Sequence, residues 1–273
     1  MTKTPFQGVI LRPLSLIRLS HIENEIGMKI NKIKFKYIIR GVMTMSIWTH
    51  VNCNFRLADY QVVSDKDIYK VFGKQLLWGE EFNGEEYYLP MGSEESLHIN
   101  IFRGNEYLDV SVFGDLRNYE DFDEIGEWFN KCCNSFNIEQ AYCQVTDSGG
   151  FGKNFECQKL VSSELFTVNI SFRLDCSPEY QYIKGELVQK CPFSEKMKVH
   201  IWENPDDSCM ASTVVIMFGD FDLDEGIEFD MKVKKWFNSS LEKFHVRQAF
   251  CQINYANDSS KIYKDKVTFQ NFE

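Results

Sequence analysis

The sequence predicts an α+β protein of two tandem ferredoxin-like units, each in the order β-α-β-β-α-β with helices over one face of an antiparallel sheet. Three observations predict it. Four blocks recur in the same order, so one unit is present twice. Each copy alternates strand-like and helix-like periodicity in the same sequence. A 44% hydrophobic content with 15% aromatics supplies two packed cores in 273 residues.

The recurring blocks fix the alignment. Val51-Asn52-Cys53-Asn54-Phe55-Arg56-Leu57 returns as Val168-Asn169-Ile170-Ser171-Phe172-Arg173-Leu174, and Phe113-Gly114-Asp115 returns as Phe218-Gly219-Asp220. Trp128-Phe129-Asn130 returns as Trp236-Phe237-Asn238, and Gln140-Ala141-Tyr142-Cys143-Gln144 as Gln248-Ala249-Phe250-Cys251-Gln252.

Each copy opens with a strand, Trp48 to Ala58 and Leu165 to Leu174. A short helix follows. Ser64 and Asp67 form a capping-box pattern and Gly73 suits the stop. In copy two Ser177-Pro178-Glu179 suits the start and Gly185 the stop. A hairpin comes next, Leu97 to Phe102 and Tyr107 to Phe113 about Arg103-Gly104-Asn105. Its counterpart joins Met197 to Trp202 and Ser212 to Phe218 through a loop with Asn204-Pro205-Asp206-Asp207.

The second helix shows apolar residues at helical spacing, Phe122, Ile125, Phe129, Cys132, Cys133 and Phe136 in copy one. Phe229, Val233, Trp236, Phe237, Leu241 and Phe244 do the same in copy two. Strands Ile138 to Thr146 and Val246 to Tyr255 close the copies. The expected organisation is a basic leader 1–44, a first repeat 45–147, a linker 148–163, a second repeat 164–257 and a tail 258–273. Alternation in the hairpin strands implies a sheet covered on one face, so the units should pair sheet to sheet or edge to edge.

The leader has no counterpart in either copy. Met43 and Met45 stand where the repeat begins, and Arg40-Gly41-Val42 is what a purine-rich ribosome-binding stretch would encode. Translation from Met43 or Met45 is therefore one expectation. A basic arm is the other.

Charge narrows the function. Residues 1–44 hold eight Lys/Arg against two Glu, and the chain's net charge is −10, so the body carries about −16. Such a body repels nucleic-acid phosphates. No apolar run is long enough to cross a bilayer and no secretory signal pattern opens the chain, so a cytoplasmic location is expected. Nine cysteines, an odd number with no Cys-x-x-Cys spacing, read as reduced structural thiols without a zinc site.

Chemistry-bearing motifs are few. No nucleophile elbow, zincin or phosphate-loop pattern is present, and no His position is shared between copies. No catalytic residue, metal site or cofactor is assigned. Carboxylates gather between the Phe-Gly-Asp block and the second helix: Asp115, Asp121, Asp123 and Glu124 in copy one, Asp220, Asp222, Asp224 and Glu225 in copy two. Asp220-Asp222-Asp224 approaches a calcium loop, but the glycine falls one residue late, at Gly226. These acids either favour a helix N-terminus or form a patch that imitates nucleic-acid phosphates toward a basic protein. Arg56 and Arg173 are either ligand anchors on an open sheet face or partners of an acid on a neighbouring strand.

The opening Met45-Ser46-Ile47-Trp48-Thr49-His50-Val51-Asn52 resembles the start of small uncharacterised proteins of tailed phages. The resemblance implies a phage origin, hence a host cytoplasm, and no activity. The expected function is a non-enzymatic interaction protein whose acidic surfaces bind a basic protein. The alternative is a small-ligand or nucleotide sensor with its site at the junction of the repeats.

Overall fold

Along β1 (Trp48–Leu57) the residues Val51, Cys53, Phe55 and Leu57 alternate with Asn52, Asn54 and Arg56, yet both sets are buried. Successive side chains of a strand point to opposite faces, so this sheet is covered on both sides. One cover is helical and the other is a second sheet. Of the two expected pairings, sheet to sheet and edge to edge, the structure shows the first, with a polar-rich cover on the face away from the helices.

The structure is a computed structural model that describes residues 46–58, 60–77, 79–93, 95–158, 165–175, 180–203, 213–222, 226–255 and 260–264. The leader 1–44, the cap Ser177-Pro178, the loop Asn204 to Asp207, Asp224 and Glu225 lie outside them.

The first half runs β1, α1 (Asp65–Phe72), β2 (His98–Arg103), β3 (Leu108–Arg117), α2 (Phe122–Ser135), β4 (Ile138–Asp147) and β5 (Gly152–Gln158). The second runs β6 (Leu165–Leu174), α3 (Tyr180–Ile183), β7 (Lys198–Glu203), β8 (Thr213–Asp222), α4 (Gly226–Lys243), β9 (Val246–Tyr255) and β10 (Ser260–Lys264). The protein is thus mixed α+β, with two antiparallel five-stranded sheets and four helices among the described residues. The sheet orders are β2-β3-β1-β4-β5 and β7-β8-β6-β9-β10, which correspond strand for strand.

The registers correspond as well. Val51 faces Gly114 as Val168 faces Gly219, and Asn52 faces Gln144 as Asn169 faces Gln252. A bulge follows Arg56 on the β1–β4 ladder and Arg173 on the β6–β9 ladder. It leaves Glu139 and Arg247 as the extra residues.

Two features were not foreseen. β5 lies inside the expected linker 148–163 and β10 inside the expected tail 258–273. The first helix of the second half does not stop at Gly185; it continues as a π-helical turn over Lys184–Val188. In the first half the expected helix holds: Ser64 and Asp67 form the capping box, and Gly73, at φ 106°, ends the helix. A Cβ on Gly73 would lie 2.3 Å from the Tyr88 carbonyl carbon, which is why glycine stands there.

Each half has its own core between sheet and helices. Phe55 contacts Phe72, Trp128 and Phe129 with centroids 4.9–5.8 Å apart. Phe172 meets Trp236 and Phe237 in the same way. The repeated tryptophan has one task in both halves. Trp128 Nε1 donates to the Phe72 carbonyl at 2.8 Å, and Trp236 Nε1 to the Leu187 carbonyl at 3.0 Å, satisfying a carbonyl at the end of the first helical segment.

The cysteine expectation needs one correction. Cys53 and Cys143 are joined by a disulfide across β1 and β4. They stand directly opposite in the register, on the core-facing side, with Cα atoms 4.0 Å apart. In the second half Cys251 faces Ile170, so no such bond can form there.

Candidate functional site

The two sheets meet face to face, and the seam between them is the most polar part of the interior. Asn54 Nδ2 donates to Asn169 Oδ1 at 2.7 Å, and Ser171 Oγ to Asn52 Oδ1 at 2.9 Å. Gln140 Nε2 donates to the Gln252 carbonyl, while Gln248 Nε2 reaches the His50 carbonyl and Thr146 Oγ1. The shared glutamines of the last strands therefore tie one half to the other. Buried amides persist where hydrogen bonds replace water.

The repeated arginines and aspartates exchange partners across this seam. Arg56 donates from both terminal nitrogens to Asp220, at 2.7 and 2.6 Å. Arg173 donates to Asp115 Oδ2 at 2.6 Å and to the Gly114 carbonyl at 2.8 Å. Each Arg of the Phe-Arg-Leu block thus finds the Asp of the Phe-Gly-Asp block in the other half. The bulge residues complete the two groups with opposite charges. Glu139 accepts from Arg56 Nε at 3.0 Å, whereas Arg247 pairs with both Asp115 and Asp175.

The two groups differ in depth. Asp115 is almost wholly enclosed, with His50 as a further neighbour, whereas the Asp220 side chain is 42% exposed. Burial works to raise the Asp115 value. Arg173, His50 and Arg247 overcome that and hold the carboxyl far below the usual carboxylate range. Burial likewise opposes the charge on Arg56, and Asp220 outweighs it, leaving the guanidinium value raised.

Asp109 has a different environment. It sits opposite Arg56 on β3, completely buried, where the second half has Val214. Asn54 approaches Asp109 Oδ1 at 3.4 Å, and Asp109 Oδ2 has no hydrogen-bond partner. Burial pushes its carboxyl up to about 7, since Arg56 is already engaged by two other carboxylates.

One end of the seam is aromatic. Phe113, Val214, Ile216 and Phe218 form a third cluster against Phe102, Tyr107 and Trp202. The His200 ring stacks on Phe102 at 4.1 Å, and burial drives its value down to about 4. His98 stacks on Phe113, with Nδ1 2.8 Å from Gln75 Nε2, and burial lowers its value too. The sequence gives neither histidine a role, because neither position is a histidine in the other copy.

The remaining sequence-derived residues lie elsewhere. Asp121 is the N-cap of α2 and accepts from the Asp123 and Glu124 amides. Asp123 is exposed and pairs with Lys153 at 2.5 Å, and Glu124 and Glu127 are exposed on the same helix. Asp222 is exposed at the end of β8. The structure thus brings Arg56, Arg173, Asp115 and Asp220 together in the seam and separates them from the helix acids. Among the described residues, no group of three or more His, Cys, Asp or Glu is arranged to hold a metal, and no helix is long and apolar enough to cross a membrane.

No protein-family model matches the chain, and no curated protein matches it. A crystal structure of an unknown protein from Galdieria sulphuraria is similar over 82% of this chain and 100% of that one, at 8% identity and a TM-score of 0.19. Likeness at that level carries no argument about fold or function.

Proposed function

We propose that this chain is a non-enzymatic interaction protein that binds a basic protein through the acidic outer face of its first half. Two ferredoxin-like units, each extended by a fifth strand, lock their sheets together and turn their helices outward. The strand order of each sheet supports that reading. The likeness of the opening residues to tailed-phage proteins supports a phage-encoded protein acting in a host cytoplasm.

The observation that carries the function is the division of acids between interior and surface. Asp115 is consumed in the seam, while Asp123, Glu124 and Glu127 stand exposed along α2. The nearby loop adds exposed Glu80, Glu81 and Glu85 among exposed Leu77, Phe82 and Tyr87. A basic partner gains from such a face chiefly in association rate and specificity. The sensor alternative has weaker support, because the arginines at the junction are already held by carboxylates.

Affinity capture at low and high salt tests the proposal, with wild-type protein beside Glu124→Lys/Glu127→Lys. A partner retained at low salt, released at high salt and lost by the double variant supports it. Capture insensitive to both salt and charge reversal overturns it.

A further inference from the structure

The fifth strand of the first half is fastened to its outer helix at two successive points. Lys153 donates to Asp123 Oδ1 at 2.5 Å. Phe155 packs against Phe129, with centroids 6.1 Å apart, and its ring lies so close to Gly126 that a Cβ there would come within 2.5 Å. One step further along both elements stand Cys133 and Cys157, half-buried against the same core. Helix and strand therefore run side by side in the same direction, and the next pair of positions brings a cysteine of each to the same core.

The second half repeats the fastening without the sulfurs. Lys261 and Tyr263 of β10 both reach Asp230 on α4. The position of Cys133 is held there by Leu241. The charge clamp is common to both halves, and the thiol pair belongs to the first alone.

We propose that Cys133 and Cys157 form a dithiol site that takes a small-molecule disulfide as its oxidant and closes to a bond tying β5 to α2. One protein thiolate attacks the oxidant's sulfur–sulfur bond, forming a mixed disulfide and expelling one small-molecule thiolate. The second protein thiol loses its proton and attacks the protein sulfur of that mixed disulfide, expelling the other thiolate. Two protein thiols are oxidised and one disulfide is reduced to two thiols. The neighbouring Cys157 and burial hold the Cys133 thiol well above its ordinary range, so closure quickens as pH rises.

The test uses the full-length protein and oxidised glutathione at pH 7 and pH 9. Digestion after glutamate under non-reducing conditions separates 128–139, which contains Cys132 and Cys133, from 140–156, with Cys143, and 157–164, with Cys157. The expected result is a linked 128–139/157–164 pair, formed faster at pH 9. It should be lost in Cys133→Ser and Cys157→Ser and retained in Cys132→Ser. Absence of that pair in oxidised wild-type protein overturns the proposal whether or not the variants fold, as does its loss in Cys132→Ser with retention in Cys133→Ser.

Discussion

Arg173 of the second half donates to Asp115 of the first at 2.6 Å, 58 residues distant in the chain, and both side chains are almost wholly enclosed. The same two blocks supply Arg56 and Asp220, which meet in the opposite sense. The difference in burial sets an order of effects. Asp115→Ala leaves Arg173 without its carboxylate and Arg247 with Asp175 alone, and should cost about 3–5 kcal/mol. Asp220→Ala, at a half-exposed site, should cost about 1.5–3 kcal/mol. Urea unfolding of the two variants checks the ranking.

Asp109 should make the protein less stable as pH rises. Its folded value is raised from 3.8 to about 7, so the folded state binds the proton more tightly. The contribution is fully present below pH 4 and is lost progressively up to about pH 7. It amounts to at most on the order of 4 kcal/mol. Asp109→Val, which copies Val214 in the equivalent place, should remove this slope and raise the urea midpoint at pH 8.

His200 acts in the other direction over an overlapping range. Its folded value is lowered from 6.5 to about 4, so the unfolded chain takes up the proton first. Its contribution is present above pH 6.5 and is lost as pH falls toward 4. The two slopes oppose each other in the wild type. His200→Phe should therefore unmask a decline in stability from pH 4 to 7, and Asp109→Val a rise. Midpoints measured at half-unit pH steps distinguish them.

The Cys53–Cys143 disulfide spans 90 residues of sequence. Closing a loop of that length stabilises by about 4–5 kcal/mol on the chain-entropy account. Reduction should lower the urea midpoint of the wild type and leave that of Cys143→Ser unmoved.

The repeat was legible because its shared blocks do structural work twice over. Trp128 and Trp236 each satisfy a carbonyl of the neighbouring helix, and the Arg and Asp blocks hold each other across the seam. Periodicity marks the helices and four of the five strands of each sheet. It missed β5 and β10 because both are rich in polar residues and stand beside turn-forming ones, so they read as linker and tail. It could not assign partners to Arg56 and Arg173, since a strand's alternation does not say what covers its polar face. The disulfide escaped for a related reason: the opposition of Cys53 and Cys143 is a property of register, which composition does not contain.

The bulge residues carry one more consequence. In a symmetric homodimer every substitution at the contact appears on both sides at once, so an acid could not stand at the place of Glu139 while a base stood at its mate. Joining the subunits in one polypeptide lifts that constraint. Glu139 against Arg247, and Asp109 against Val214, are differences that two halves of one polypeptide are free to hold and a symmetric homodimer is not.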